Sequence, residues 1–137
     1  MNLRTIVALA AISLPFVACG SAPPPYAALA IEDDAEMTSN VVVTDQALHD
    51  VVRVGRARVE RVPGTNQLSV TVPIRNLDDR QIQILAQMSF LDRERAPIGD
   101  DTNRQVQLVS PGDTITFKAV SKGDAADDWL LRLSWNR

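Results

Sequence analysis

The chain has 137 residues, 45% hydrophobic and 23% charged, the balance of one folded domain rather than of a disordered chain. A formal net charge of −3 gives no basic surplus for nucleic acid. A single Cys and a single His exclude an internal disulfide and any zinc site of four Cys, or of two Cys and two His.

The first residues carry one charge, Arg4, followed by an apolar run from Thr5 to Val17. About 13 residues match a signal-peptide core, and as a helix they reach only ~20 Å, short of the ~30 Å hydrocarbon layer. The run ends in Phe16-Val17-Ala18-Cys19-Gly20. This resembles a bacterial lipobox, with Phe16 where Leu is usual. Residues 1–18 therefore read as a lipoprotein signal peptide, and Cys19 as the lipidated first residue of the mature chain. Two or three acyl chains anchor stably where one does not. Gly20 rather than Asp after that Cys favours the outer membrane, facing the periplasm. The alternative is an ordinary secretory signal that leaves a free thiol.

Residues 19–39 read as a flexible, acidic, Pro-rich tether. Pro23-Pro24-Pro25 favours polyproline II. The six acidic residues between Gly20 and Asp50 have no Lys or Arg among them. Such a segment is repelled by anionic headgroups. The folded domain is expected over 40–137. It opens with the β-branched Asn40–Thr44, an edge strand, and a short polar turn at Asp45–Asp50 that holds His49 as a surface residue.

From Val51 onward the hydrophobic period is two. In Val51–Val62 the apolar parity switches between Val54 and Ala57, so a bulge is expected at Gly55. Arg53, Arg56, Arg58 and Glu60 then face outward. Leu68–Arg75 alternates cleanly, and Pro73 removes a ladder donor, which points to a sheet edge or a bulge. Ile82–Phe90 is the longest run and reads as a central strand. Arg104–Val109, Thr114–Val120 and Trp129–Asn136 complete seven strands. Pro63–Asn66, Asn76–Arg80, Asp92–Asp100 and Ser110–Asp113 are turns or loops, and Lys122–Asp127 has room for one helical turn. The pattern predicts an all-β, Ig-like antiparallel β-sandwich without the Cys…Trp…Cys signature of antibody domains. Trp129 and Trp135 are expected in its core, with a ligand-stacking platform as the alternative.

Arg75-Asn76-Leu77 leading into Ile82–Phe90, the Phe90-Leu91-Asp92 strand end, the Ser110-Pro111-Gly112-Asp113-Thr114 turn and the Ala119–Trp135 close together resemble the YcfL-like family of periplasmic lipoproteins. The family's aromatic-rich strand is replaced here by Met88-Ser89-Phe90-Leu91-Asp92-Arg93-Glu94. The resemblance implies an envelope lipoprotein with a sandwich domain and supplies no catalytic residues.

No Gly-rich phosphate loop, GxSxG elbow, HExxH or EF-hand loop occurs. Gly99-Asp100-Asp101-Thr102-Asn103 is the best calcium-loop candidate, but a strong site needs about six oxygens. It reads as a solvated turn. The expectation is a non-enzymatic envelope lipoprotein that needs no cofactor or metal. It is held to the membrane by Cys19 and meets an envelope protein through an exposed strand near Pro73 or Val41–Val43. The alternative is a small-ligand or cell-wall-glycan module using Trp129 or Trp135 with the arginine face.

Overall fold

In the computed structural model, which describes residues 25–31 and 39–136, the alternating runs become two facing sheets. The strands are β1 (Tyr26–Ala27), β2 (Leu29–Ala30), β3 (Val41–Val43), β4 (Val52–Val54), β5 (Arg58–Arg61), β6 (Leu68–Asn76), β7 (Ile82–Leu91), β8 (Pro97–Asp101), β9 (Gln105–Val109), β10 (Thr114–Val120) and β11 (Asp128–Trp135), with one helix, α1 (Gln46–Val51). The larger sheet runs β1-β3-β11-β7-β8, and β9 also pairs with β7. The smaller runs β10-β6-β4-β2, and β5 also pairs with β6. Most pairs are antiparallel, but β3 with β11 and β2 with β4 are parallel. The fold is an all-β sandwich, as the period of two requires. Its eleven strands among the described residues exceed the seven expected because 51–62 splits in two and the short strands β1, β2 and β8 are added.

The inner faces carry the apolar parity. Val70, Val72 and Ile74 of β6, Ile84, Ala86, Met88 and Phe90 of β7, and Leu131 and Leu133 of β11 are all inaccessible to solvent. Burying each large apolar side chain contributes about 1.5–3 kcal/mol. Trp129 lies in this core, and Trp135 closes one end of it half-buried. As expected, β7 is the longest strand and central.

Pro73 is not at an edge. β6 lies between β10 and the β4/β5 pair. Gly55 N–H donates to Pro73 O at 2.9 Å, so the Pro73 nitrogen, which has no hydrogen to give, also points toward that side. There the partner chain bulges. Val54 pairs with Ile74 and Arg58 with Thr71, so three residues oppose two. The bulge sits at Gly55 as expected, where a Cβ would lie 3.1 Å from Pro73 Cβ. Val59, expected to face inward with Ala57, is 47% exposed on a strand exposed along its length.

Two other local expectations change. Asp45–Asp50 contributes to a helix rather than a turn, and Leu48 fully buries its side chain there. Lys122–Asp127 forms bends rather than a helical turn. Its carbonyls are already occupied: Gln67 Nε2 donates to Ser121 O and Lys122 O at 2.8 and 3.0 Å, and Ser121 Oγ donates to Gly123 O at 2.6 Å.

The signal peptide and Cys19 lie outside the described residues, as do 32–38 of the acidic stretch. Residues 25–31, expected within the tether, are part of the sandwich. β1 pairs with β3 in the larger sheet and β2 with β4 in the smaller. Between them Ala28 is 4% exposed and donates its N–H to Val41 O at 3.0 Å. One short segment thus covers β3 in one sheet and β4 in the other. The Val41–Val43 strand consequently lies inside its sheet, between β1 and β11, rather than at an edge.

Candidate functional site

The outward arginines read from the sequence do not form a free cationic face. The Arg53 guanidinium donates to His49 O, Asp50 O and Val52 O at 3.3, 3.2 and 2.9 Å, bracing the end of α1. Arg58 is paired with Glu60 at 2.6 Å. Arg56 also has a partner. His49 is not a surface residue. Its ring Nε2 lies 3.0 Å from Ala27 O and its centroid 5.4 Å from that of Tyr26, so it holds the edge-closing segment in place.

The candidate calcium loop is structural as well. Asp100 is buried at 8% exposure and accepts the Lys122 N–H at 2.6 Å. Thr102 continues the ladder between β8 and β9: its N–H donates to Met88 O at 2.8 Å, and its Oγ1 accepts from Met88 N at 2.9 Å. Among the described residues no three His, Cys, Asp or Glu side chains are grouped to hold a metal ion.

Among the described residues, two concave places are relevant to binding. The first, about 240 Å³, lies on the outer face of the larger sheet and is lined by Thr44, Leu85, Gln87, Arg104, Arg132 and Ser134. The sheet register explains this set. Arg132 is the direct cross-strand partner of Gln87. Gln105 pairs with Ala86, so Arg104, one residue earlier, falls beside Gln87 on its other flank. Arg104, Gln87 and Arg132 thus form one row across three neighbouring chain segments. Ser134 pairs with Leu85 in the next row on the same face. Gln87 Nε2 donates to Thr102 O at 3.2 Å. Both arginines are exposed, and neither forms an ion pair among the described residues.

The second recess, about 560 Å³ and more open, lies at the end of the sandwich around Trp135, with Asp78, Arg80, Gln81, Ile82, Gln83 and Asn136. Trp135 Nε1 is buried there and has no hydrogen-bond partner. Asn136 is fixed beside it: its N–H donates to Gln83 O and its Nδ2 to Gln83 Oε1, both at 3.1 Å. The Asp78 carboxyl stays below the usual carboxylate range. The main cause is a hydrogen bond shared with the Asp79 carboxyl, opposed by desolvation, with smaller help from the Asp79 and Arg80 N–H groups and the Arg80 charge.

Of the expected ligand residues, Trp129 belongs to the core and Trp135 borders a recess. Arg104 and Arg132 were not singled out from the sequence. Strand parity places both outward, but nothing in the order of residues says that β9 and β11 flank the same strand.

No family model and no curated protein sequence matches the chain. Two solved structures share its fold. The crystal structure of Campylobacter jejuni cj0090 has a TM-score of 0.59 at 13% identity, over 71% of this chain and 98% of that one. A DUF1425 family member from Shewanella sp. pv-4 has a TM-score of 0.54 at 14% identity, over 60% of this chain and 75% of that one. At such identities the likeness is one of fold.

Proposed function

We propose that this protein is a non-enzymatic lipoprotein of the bacterial envelope, anchored through Cys19, that presents its sandwich to an envelope protein partner from the periplasmic face of the outer membrane. The observation that carries this reading is the asymmetry of the two sandwich edges. At one edge residues 26–30 cover β3 of the larger sheet and β4 of the smaller, beside the uncovered β5, and only residues 20–25 separate that segment from Cys19. Six residues reach at most about 22 Å however they are arranged, so a lipid on Cys19 keeps that covered edge near the bilayer. The other edge is formed by β8 and β9 in the larger sheet and β10 in the smaller, each paired on one side only. It carries the exposed Val106, Leu108 and Val120. An open edge of this kind accepts a partner strand. The resemblance to YcfL-like lipoproteins and the fold shared with a DUF1425 family member support the same reading.

The test uses the full chain in intact bacteria. Mass spectrometry of the processed protein should show a diacylglycerol adduct at Cys19, and Cys19→Ala should move the protein to the soluble fraction. A photo-crosslinking residue at Val120 or Leu108 should trap a discrete protein adduct that one at Arg58 does not. A bare thiol, or equal labelling from all three positions, refutes the reading.

A second reading, a module for small ligands or cell-wall glycans, is favoured by the buried, unpartnered Trp135 Nε1 beside the Gln, Asn and Asp side chains of the end recess. Aromatic rings with adjacent amides and carboxylates suit hydroxyl-rich ligands. Saturable tryptophan fluorescence changes with muropeptides, abolished by Trp135→Phe, support it. A flat titration removes it.

A further inference from the structure

We propose that the Arg104–Gln87–Arg132 row is a receptor for an oxyanion, a carboxylate or phosphate group carried by a small ligand. The proposal rests on the reading of the sandwich as a binding module but needs neither the lipid anchor nor a protein partner.

The argument starts from where the charges stand. Neighbouring strands lie ~4.8 Å apart, so the two arginines flanking Gln87 emerge roughly 10 Å apart at their Cβ atoms. Their long side chains can converge above Gln87 from both flanks. Two like charges facing one recess repel each other unless an anion lies between them. Three other surface arginines are paired with carboxylates: Arg58 with Glu60, Arg61 with Asp127, Arg95 with Asp128. Arg104 and Arg132 have no such carboxylate, and none lines their recess. By register the nearest acidic side chain is Asp101. It pairs with Ser89, one row further along the same face, and forms no ion pair with either arginine.

The remaining lining suits an oxyanion. The Ser134 hydroxyl has no hydrogen-bond partner among the described residues, so it is free to donate. The Gln87 side chain is held by its bond to Thr102 O, which leaves its second N–H. Guanidinium groups bind carboxylate and phosphate through paired N–H donors, and hydroxyl and amide donors complete the shell. Leu85 supplies the apolar floor that excludes water from one side. Leu85, Gln87, Arg132 and Ser134 stand on paired strands and Arg104 directly precedes one, so little backbone ordering accompanies binding.

The test is an NMR titration of the purified protein with sodium phosphate and, separately, with sodium acetate, at constant ionic strength made up with chloride. The expected result is a saturable shift at the Gln87 side-chain amide and the Nε–H groups of Arg104 and Arg132. Arg104→Gln and Arg132→Gln each weaken it by about tenfold. Arg58→Gln, which touches only the Glu60 pair, leaves it unchanged, and Asp101→Asn strengthens it. Saturation with phosphate alone identifies a phosphorylated ligand, and saturation with acetate also identifies a carboxylate. Absence of saturable shifts with both anions, or equal affinity in the two arginine variants and wild type, overturns the proposal. Neither outcome bears on the Cys19 adduct or on crosslinking from the β9–β10 edge.

Discussion

Asn76 is the side chain whose removal most directly tests how the sandwich is tied together. It ends β6 fully buried. Its Nδ2 donates to Val109 O at 3.0 Å and Arg80 O at 2.8 Å, and its Oδ1 accepts the Asp78 N–H at 2.8 Å. Its backbone N–H donates to Asp113 O, and its carbonyl accepts from Gly112 N, both at 3.0 Å. One amide therefore joins the β6–β7 turn to the end of β9. Asn76→Ala leaves the buried Val109 carbonyl without this donor, a cost of about 1–3 kcal/mol, while Arg80 O and Asp78 N, nearer water, lose about 0.5–1.5 each. The expected destabilisation is about 3–4 kcal/mol, a large share of the roughly 5–15 kcal/mol that holds a domain folded.

Asn76→Asp sharpens the test. It keeps the acceptor for Asp78 but turns a carboxylate toward two carbonyls, so at pH 7 it costs at least as much as alanine. Burial and those carbonyls raise the introduced carboxyl above its unfolded value of about 3.9. A raised carboxyl destabilises increasingly as pH climbs past the unfolded value, so the deficit against wild type shrinks as pH falls toward it. Urea unfolding followed by tryptophan fluorescence, with the slope checked for constancy, measures both variants. A loss under about 1 kcal/mol for alanine, or a milder effect of aspartate than of alanine at pH 7, would refute the reasoning.

Gly55→Ala pushes a methyl to within 3.1 and 3.2 Å of the Pro73 ring, which cannot turn away, and should cost about 1–3 kcal/mol in urea unfolding. Gly99→Ala has open space around it but a φ of +73°, so it should lose only about 1–2 kcal/mol. Ala28→Asp must either bury a charge between the sheets or release 26–30, so it should lower the melting temperature and speed protease cleavage near residue 31; an unchanged digestion pattern counts against the closed edge. The depressed Asp78 carboxyl contributes stability above its unfolded value that is lost as pH falls through the folded one. Asp78→Asn should therefore match wild type less well at pH 7 than at pH 2 in thermal melts, by a small margin because the group lies at the surface, only half-buried.

What the sequence made legible was whatever depends on neighbours along the chain. Alternation in Leu68–Arg75, Ile82–Phe90 and Trp129–Asn136 identified the three strands that carry most of the core. The parity switch in Val51–Val62 located the bulge. Pairing between distant segments was not legible in the same way. Pro73 reads as an edge residue because its own nitrogen lacks a donor, yet the partner strand absorbs the defect by bulging away. Residues 26–30 read as tether because they are few and follow three prolines, and only the two exposed sheet edges waiting at β3 and β4 give them structure. Arg53 and Arg58 look outward and free, but their partners, the end of α1 and Glu60, lie within a few residues and hold them in place.

The same contrast separates the two long central strands. Each is faced on one side by two shorter strands set end to end, β4 and β5 along β6, and β8 and β9 along β7. The break beside β6 has a local cause, the donor missing at Pro73, and Gly55 packs it shut. The break beside β7 has no such cause, since Gln87 and Met88 have ordinary backbones. Thr102 bonds both polar groups of Met88 there, so ladder continuity is kept while the strand itself is interrupted. The chain then leaves the ladder for two residues, and Arg104 emerges beside Gln87 rather than within a paired strand. An interruption that costs no backbone hydrogen bonds at Met88, and that brings a cation opposite Arg132, is more readily understood as building a site than as repairing a defect.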